Sequence, residues 1–342
     1  MKMMKWMVGV AVLGTGIAVH AQAPAQASPA TAELQTATEP QAPAAHAGVA
    51  PASVFPAINP KNFTADSPTT AVVNEFLKSV WGYNDNLSWR VEAIQKTLAP
   101  GVVRVVVFIA NTTQPGKVTR NEFFITPDGK HAIADAVIDF GAKPYAERRQ
   151  ALQESADGPA AGASEKSFLM VEFGDLLNSK SKEAHDAVVN LMKEFPQARV
   201  VFQVLPPADS PYAYRAAAEG VCVRKAKGDA AFFTYVQAVY SKEQGLTSTT
   251  LGPALDSAVT AAGADPASIT ACANSQAAKD EVNASIATGS AVGVDQSGVL
   301  VVNGRVLPAS SVPFETLKRI VAYQAQLDGI AVHVQPTLST LK

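Results

Sequence analysis

The spacing of hydrophobic positions divides the chain into two regions of regular secondary structure. In the first region, "TTAVVNEFLKSVWG" places apolar residues on one helical face: Val72, Val73, Phe76, Leu77 and Val80. The segments "LSWRVEAIQKT", "VVRVVVFIAN" and "KVTRNEFFITPDGKHAIADAVIDFG" are typical of strands, because apolar residues alternate or β-branched residues dominate. The last segment contains a hairpin turn at Pro127-Asp128-Gly129. The pattern predicts a small α+β domain over residues 68–152, with one helix on an antiparallel sheet.

The second region, residues 168–328, begins with the apolar strand "FLMVEFGD" and an amphipathic helix, and the strand "ARVVFQVLP" follows. Four helical segments come next: "AYRAAAEGVCVRKA", "DAAFFTYVQAVYSKE", "LGPALDSAVTAAG" and "PASITACANSQAAKDEVNASIATGSA". The segment "GVLVVNGRVLP" then predicts two strands joined by a turn at Asn303-Gly304, and the helix "PFETLKRIVAYQAQL" closes the region. The order is β-α-β, a helical insertion, β-β and α, which predicts an α/β domain.

The remaining segments lack such patterns. Residues 1–21 carry Lys2 and Lys5, an apolar run from Trp6 to Val19 and then small residues, as a secretory signal peptide does. That run is shorter than the roughly 20 residues of a membrane span. We therefore expect a periplasmic or secreted protein with no stable membrane span after cleavage. Residues 22–67 form an Ala/Pro-rich stretch predicted to be a disordered linker. A second linker is predicted at 153–167 and a C-terminal tail at 329–342.

Composition narrows the choice of partners and of redox chemistry. The 342 residues carry a formal net charge of −2, so no basic surface for nucleic acid is indicated. The two cysteines, Cys222 and Cys272, would lie in an oxidising compartment after export. An even pair there favours a structural disulfide, with a redox pair and free thiols as the alternatives.

Several motifs in fixed order carry a resemblance to a known family. The first motif is the strand Val171-Glu172-Phe173-x-Asp175, and Lys182 and His185 follow it. The second strand, which ends at a proline, comes next, and the segments "FFTYVQAVYSKE" and "GVDQSGVLVVNGR" complete the series. Together they resemble the DsbA-like thiol:disulfide oxidoreductases of the bacterial envelope, which implies a thioredoxin-like fold with a helical insertion. More loosely, "FFITPDGKHAIADAVIDF" resembles the N-terminal module of the DsbC and DsbG isomerases. That likeness implies homodimerisation through this module as an alternative to a monomer.

The match fails at the residues that carry the family's chemistry. Residue by residue, the resemblance places Asn178-Ser179-Lys180-Ser181 on the C-x-x-C, with Asn178 on the attacking cysteine and Ser181 on the resolving one. Gly298 falls on the cis-proline that faces the thiols. Disulfide exchange requires a thiolate, which an amide and an alcohol cannot supply. Asparagine and serine are, however, favourable helix N-caps, so we expect the helix to be kept and the chemistry lost.

The sequence therefore predicts a redox-inactive, DsbA-like protein that binds unfolded or partner polypeptides as a chaperone-like or scaffold protein. The resemblance implies a peptide groove at Asn178, Ser181, Ser297 and Val299, and no cofactor is expected. Two alternatives stay open. One is an active oxidoreductase that uses Cys222 and Cys272, and the other is a structural envelope protein.

Other chemistries have weaker support. Asp175, Ser181 and His185 could form a hydrolytic triad, but the G-x-S-x-G elbow is lacking. We interpret Glu172 and Asp175 as structural carboxylates and Lys180 as an exposed side chain, with anion binding as its alternative. The histidines after the signal segment are widely spaced, so no metal site is expected: His46, His131, His185 and His333.

Overall fold

The computed structural model describes residues 54–332 except 135–136, 243–246 and 248. The predicted signal peptide, most of the first predicted linker and residues 333–342 lie outside this part of the chain. The described residues form two five-stranded sheets and nine α-helices. None of these helices is both long and apolar enough to cross a membrane.

The first unit is a helix on an antiparallel sheet. Helix α1 (Thr70–Trp81) precedes β1 (Leu87–Lys96), β2 (Val103–Asn111), β3 (Val118–Ile125), β4 (His131–Ile133) and β5 (Val137–Asp139). The strands lie in chain order and pair antiparallel throughout. The apolar face of α1 packs on one face of this sheet, which confirms the predicted α+β arrangement. The predicted turn joins β3 to β4, and Gly129 adopts the positive φ of +68° that the turn needs.

The second unit has a thioredoxin-like fold. Helix α2 (Ala146–Ser155) leads to β6 (Ala160–Gly162), β7 (Leu169–Gly174), α3 (Ser179–Glu194) and β8 (Arg199–Val204). After an insertion come β9 (Val299–Val302), β10 (Arg305–Leu307) and α9 (Phe314–Leu327). The sheet order is β10-β9-β7-β8-β6, with β7 and β8 parallel and the other pairs antiparallel. Helices α3 and α9 cover one face, which confirms the predicted β-α-β and β-β-α order.

The helical insertion consists of five helices: α4 (Pro211–Lys227), α5 (Asp229–Tyr240), α6 (Leu251–Ala261), α7 (Pro266–Ala273) and α8 (Gln276–Ala291). Phe232, Tyr235 and Val236 of α5 lie at the centre of its core. The last predicted helical segment is two helices, because the Ser275 side chain accepts a hydrogen bond from Ala278 N and starts α8.

Three predicted boundaries need correction. The first linker does not extend to residue 67, because Phe63 pairs with Ile94 and packs on the first core, after a 3-10 helix at Pro60–Asn62. The linker at 153–167 is wrong, because it contains β6, which completes the second sheet beside β8. The tail also begins later than predicted, since Ile330 and Val332 pack against the core of the second unit.

A buried arginine joins the two units. Arg305 in β10 is 2% exposed and donates to the Ser79 and Val80 carbonyl oxygens at 3.3 and 2.8 Å. These carbonyls belong to the last turn of α1, where the helix itself offers no donor. The guanidinium carbon also lies 5.3 and 5.4 Å from the ring centroids of Tyr83 and Tyr145. A charged side chain of the second unit therefore caps the helix of the first.

Candidate functional site

Asn178 caps the first helix of the thioredoxin-like layer. Strand β7 ends at Gly174, and α3 begins with Ser179. Between them the Asn178 side-chain oxygen accepts hydrogen bonds from Lys180 N at 2.9 Å and Ser181 N at 3.3 Å. The prediction that Asn178 lies at the mouth of this helix is confirmed. Its amide satisfies two of the N–H groups that a helix leaves without partners at its start.

Ser181 is a fixed structural group rather than an exposed nucleophile. Its side chain is fully buried, and its Oγ accepts a hydrogen bond from Asp175 N at 3.1 Å. The Asp175 carboxylate accepts in turn from Leu177 N at 2.9 Å. Burial raises the pKa of Asp175 in spite of that hydrogen bond, which acts in the opposite direction. Ser181 and Asp175 thus hold the turn that leads into α3.

Gly298 lies directly against this turn. A Cβ atom at Gly298 would be 3.3 Å from the carbonyl carbon and oxygen of Lys180 and 3.4 Å from Ser181 N. Gly298 has φ +79°, and its N–H donates to the Phe173 carbonyl at 2.8 Å. Among the described residues only the Ser67–Pro68 peptide is cis, so the peptide before Gly298 is trans, as expected. Proline does not fit this loop, because it requires a negative φ and has no N–H.

The predicted peptide groove at this site is smaller than expected. Ser181 and Val299 are both buried, so neither side chain can contact a bound chain. Asn178 and Ser297 are half-buried and remain accessible. The prediction was wrong for Ser181 because its hydroxyl turns inward and accepts from the Asp175 amide. It was wrong for Val299 because this residue begins β9, which lies between β10 and β7 inside the sheet.

A buried ion pair lies beneath the site. His185 Nδ1 is 3.1 and 3.0 Å from the two Glu172 carboxylate oxygens, and the residues are 4% and 0% exposed. Burial lowers the pKa of His185, but the Glu172 carboxylate outweighs this effect and raises it overall. The suggested triad is therefore wrong, because His185 contacts Glu172 instead of Ser181. The sequence analysis did not identify this pair. The alternation of side chains along β7 and the helical period of α3 nevertheless place Glu172 and His185 on surfaces that face each other.

The two cysteines form the disulfide that the sequence favours. Cys222 and Cys272 are joined with their Cα atoms 6.0 Å apart, linking α4 to α7. They are the two cysteines of the whole sequence, so this bond leaves no free thiol. Cys222 is buried in the middle of α4, and Cys272 is half-buried. Neither sulfur lies at the start of a helix, where backbone N–H groups would favour a thiolate.

Metal ligands are not clustered in the described part of the chain. No group of three or more His, Cys, Asp or Glu residues there has the proximity needed to hold an ion. His46 and His333 lie outside the described residues.

Comparison with known proteins gives similarities of fold. No family model and no curated protein matches the chain. Among solved structures, Proteus mirabilis ScsC in a transitional conformation shows 19% identity and a TM-score of 0.44, covering 54% of this chain and 79% of its own. A periplasmic thioredoxin-like protein from Salmonella enterica serovar Typhimurium shows 18% identity and a TM-score of 0.45, covering 53% of this chain and 97% of its own. The thiol-disulfide exchange protein alpha-DsbA2 from Wolbachia pipientis shows 15% identity and a TM-score of 0.44, covering 52% of this chain and 95% of its own. At these identities and TM-scores the similarities assign neither a family nor an activity to this chain.

Proposed function

We propose that this protein is a thioredoxin-fold polypeptide-binding protein of the cell envelope that does not exchange disulfides. The observation that carries the proposal is the state of Asn178 and Ser181. Both side-chain oxygens are occupied by backbone N–H donors at the start of α3. Neither group can act as a thiolate, and both stabilise the turn that thiols would otherwise occupy.

The envelope location rests on the signal-like residues 1–21 and on the disulfide, which persists in oxidising compartments. The polypeptide partner is supported by the thioredoxin-like fold of the second unit and by the accessibility of Asn178 and Ser297 beside the first turn of α3. A chaperone-like or scaffold role needs no cofactor and no thiol.

Homodimerisation through the first unit is part of this proposal. Phe124 pairs with Ile133, and Ile133 pairs with Val137, so three large apolar side chains form a row across β3, β4 and β5. These side chains are 37%, 38% and 61% exposed, so the row is accessible to the same surface of a second copy. Sedimentation equilibrium of the wild type and of Val137→Lys measures whether this row holds two copies together.

The test of the proposed function uses a chain that cannot form disulfides. The alkylated insulin B chain is unstructured, and its binding to the full protein is measured by fluorescence anisotropy. Insulin reduction by glutathione is followed in parallel as the test of thiol exchange. We expect saturable binding of the B chain and no acceleration of reduction. Acceleration, or no binding at any concentration up to the millimolar range, would contradict the proposal.

The disulfide provides the second candidate function, since Cys272 is half-buried and therefore within reach of a small reductant. An oxidoreductase that used Cys222 and Cys272 would release both thiols to alkylation in the native protein after mild reduction. We expect alkylation only after unfolding, because Cys222 is buried in the insertion core.

A further inference from the structure

A separate groove lies between α3 and α5, away from the first turn of α3. It has a volume of about 540 Å³. Its walls are mainly apolar and come from α3, α5 and the edge of the second sheet: Val188, Val189, Met192, Val200, Phe233 and Ala161. The buried Glu172–His185 pair forms part of the lining. Val189 is 36% exposed, so the groove can be reached from solvent.

The edge strand of the second sheet forms one wall of this groove. Strand β6 pairs with β8 on one side and with no strand of the described chain on the other. Ala163 N donates to the Ala198 carbonyl, and Phe202 N donates to the Pro159 carbonyl, at 3.0 and 2.9 Å. Backbone groups of odd-numbered residues therefore face β8, and those of even-numbered residues face outward.

The outward backbone groups of β6 are only partly occupied. The Asp229 carboxylate accepts a hydrogen bond from Ala160 N at 3.0 Å. The Ala160 carbonyl and the Gly162 N–H also face outward, and Gly162 is exposed. An extended chain lying antiparallel to β6 can bond to both of these groups, which fixes its register.

The same geometry directs side chains into the groove. Ala161 and its partner Val200 both line the groove, so they share the α3 face of the sheet. A residue paired with Ala161 on an added strand would project from this same face, and so would residues two positions away. Those positions meet the apolar walls, while the intervening side chains point to the other face.

We propose that an extended polypeptide segment with alternating apolar residues binds here, adding a strand to β6 and inserting its apolar side chains between α3 and α5. This proposal rests on the proposed function and relocates the main binding surface away from Asn178 and Ser297. It follows from two observations: an apolar groove lies on the correct face of the sheet, and the edge strand beside it keeps the Ala160 carbonyl and the Gly162 N–H directed outward, while Ala160 N stays bonded to Asp229. By contrast, two of the four side chains of the predicted groove are buried.

The experiment uses full-length protein and two probes. The first is the alkylated insulin B chain. The second is a fluorescein-labelled nine-residue peptide of alternating valine and threonine, together with copies N-methylated at each of two adjacent central backbone nitrogens. The protein variants are Val189→Glu, which places a carboxylate at the groove, and Asn190→Glu. Asn190 is the exposed neighbour on α3 and does not line the groove, so this second variant is the matched control.

We expect Val189→Glu to weaken binding of both probes at least tenfold and Asn190→Glu to change it less than twofold. One of the two N-methylated peptides should bind at least tenfold more weakly than the other, because adjacent N–H groups point in opposite directions from a strand. Equal binding of the two methylated peptides would overturn strand addition. B-chain binding that survives Val189→Glu but is lost with Asn178→Ala and Ser297→Glu would overturn this inference and leave the proposed function standing.

Two further outcomes are decisive. If the wild-type protein binds neither probe, the proposed function fails together with this inference. If Val189→Glu converts a wild-type dimer into a monomer in sedimentation equilibrium, the groove is occupied by a second copy of the chain, and the inference is overturned.

Discussion

Replacing Arg305 with methionine tests how the two units are joined. The substitution keeps most of the apolar stem and removes the guanidinium that donates to the Ser79 and Val80 carbonyls. Each hydrogen bond from a charged donor contributes about 1.5–3 kcal/mol net, and the loss leaves two carbonyls of α1 without a donor. Contacts with the Tyr83 and Tyr145 rings add about 0.5–2 kcal/mol.

Part of this loss is recovered, because methionine does not require the desolvation of a charge. We therefore expect the free energy of unfolding to fall by about 3 kcal/mol. Urea denaturation, followed by tryptophan fluorescence and by circular dichroism, measures the effect. The two signals should separate in the variant, because Trp81 and Trp89 both lie in the first unit. Arg319→Met, an exposed arginine on α9, is the matched control and should cost less than about 0.5 kcal/mol. A cost below about 1 kcal/mol for Arg305→Met, with coincident signals, would refute the reasoning.

Three further predictions concern stability. Replacing Cys222 and Cys272 by serine should lower the free energy of unfolding by about 4 kcal/mol, the value that the chain-entropy relation gives for a sequence separation of 50. An unchanged urea midpoint in this double variant would contradict a stabilising role of the disulfide. Asn178→Ala should cost about 1 kcal/mol, whereas Asn178→Asp, which keeps the accepting oxygen, should stay close to the wild type in thermal unfolding. The pKa of His185 is raised in the folded state by its pairing with Glu172. This pairing therefore stabilises the fold fully below the unfolded-state pKa of about 6.5, and the stabilisation is lost as the pH rises through the folded-state pKa. The urea midpoint should therefore fall over that interval. Glu172→Gln should reverse this slope, because burial alone lowers the pKa of His185; an equal slope in both proteins would contradict the role of the pair.

Local rules were sufficient for much of the fold and for the centre of the site. Period-two alternation identified β1, and the Pro-Asp-Gly and Asn-Gly turns located two hairpins correctly. The position of Asn178 between an apolar strand and an amphipathic helix was sufficient to predict its cap. In each case the determining interactions lie within a few residues along the chain.

Interactions between distant segments account for what the sequence did not show. Strand β6 has the composition of a linker, and it is a strand because β8 offers an unpaired edge. Arg305 looks like an exposed strand residue until α1 presents its last carbonyls to it from more than two hundred positions away. The inward turn of the Ser181 hydroxyl depends on the local backbone at Asp175, which residue types alone do not specify.

The most direct test of the central claim introduces the missing sulfurs. Gly298 is left unchanged, because its positive φ and its hydrogen bond to Phe173 exclude proline. The double variant Asn178→Cys with Ser181→Cys is compared with the wild type for exchange with oxidised glutathione, and the pKa of the first introduced thiol is measured by its absorbance at 240 nm. We predict no exchange in the wild type, measurable exchange in the variant, and a thiol pKa below the ordinary value of about 8.5, because the thiol lies at the start of α3. Exchange by the wild type, or an introduced thiol with an ordinary pKa and no exchange, would contradict the account.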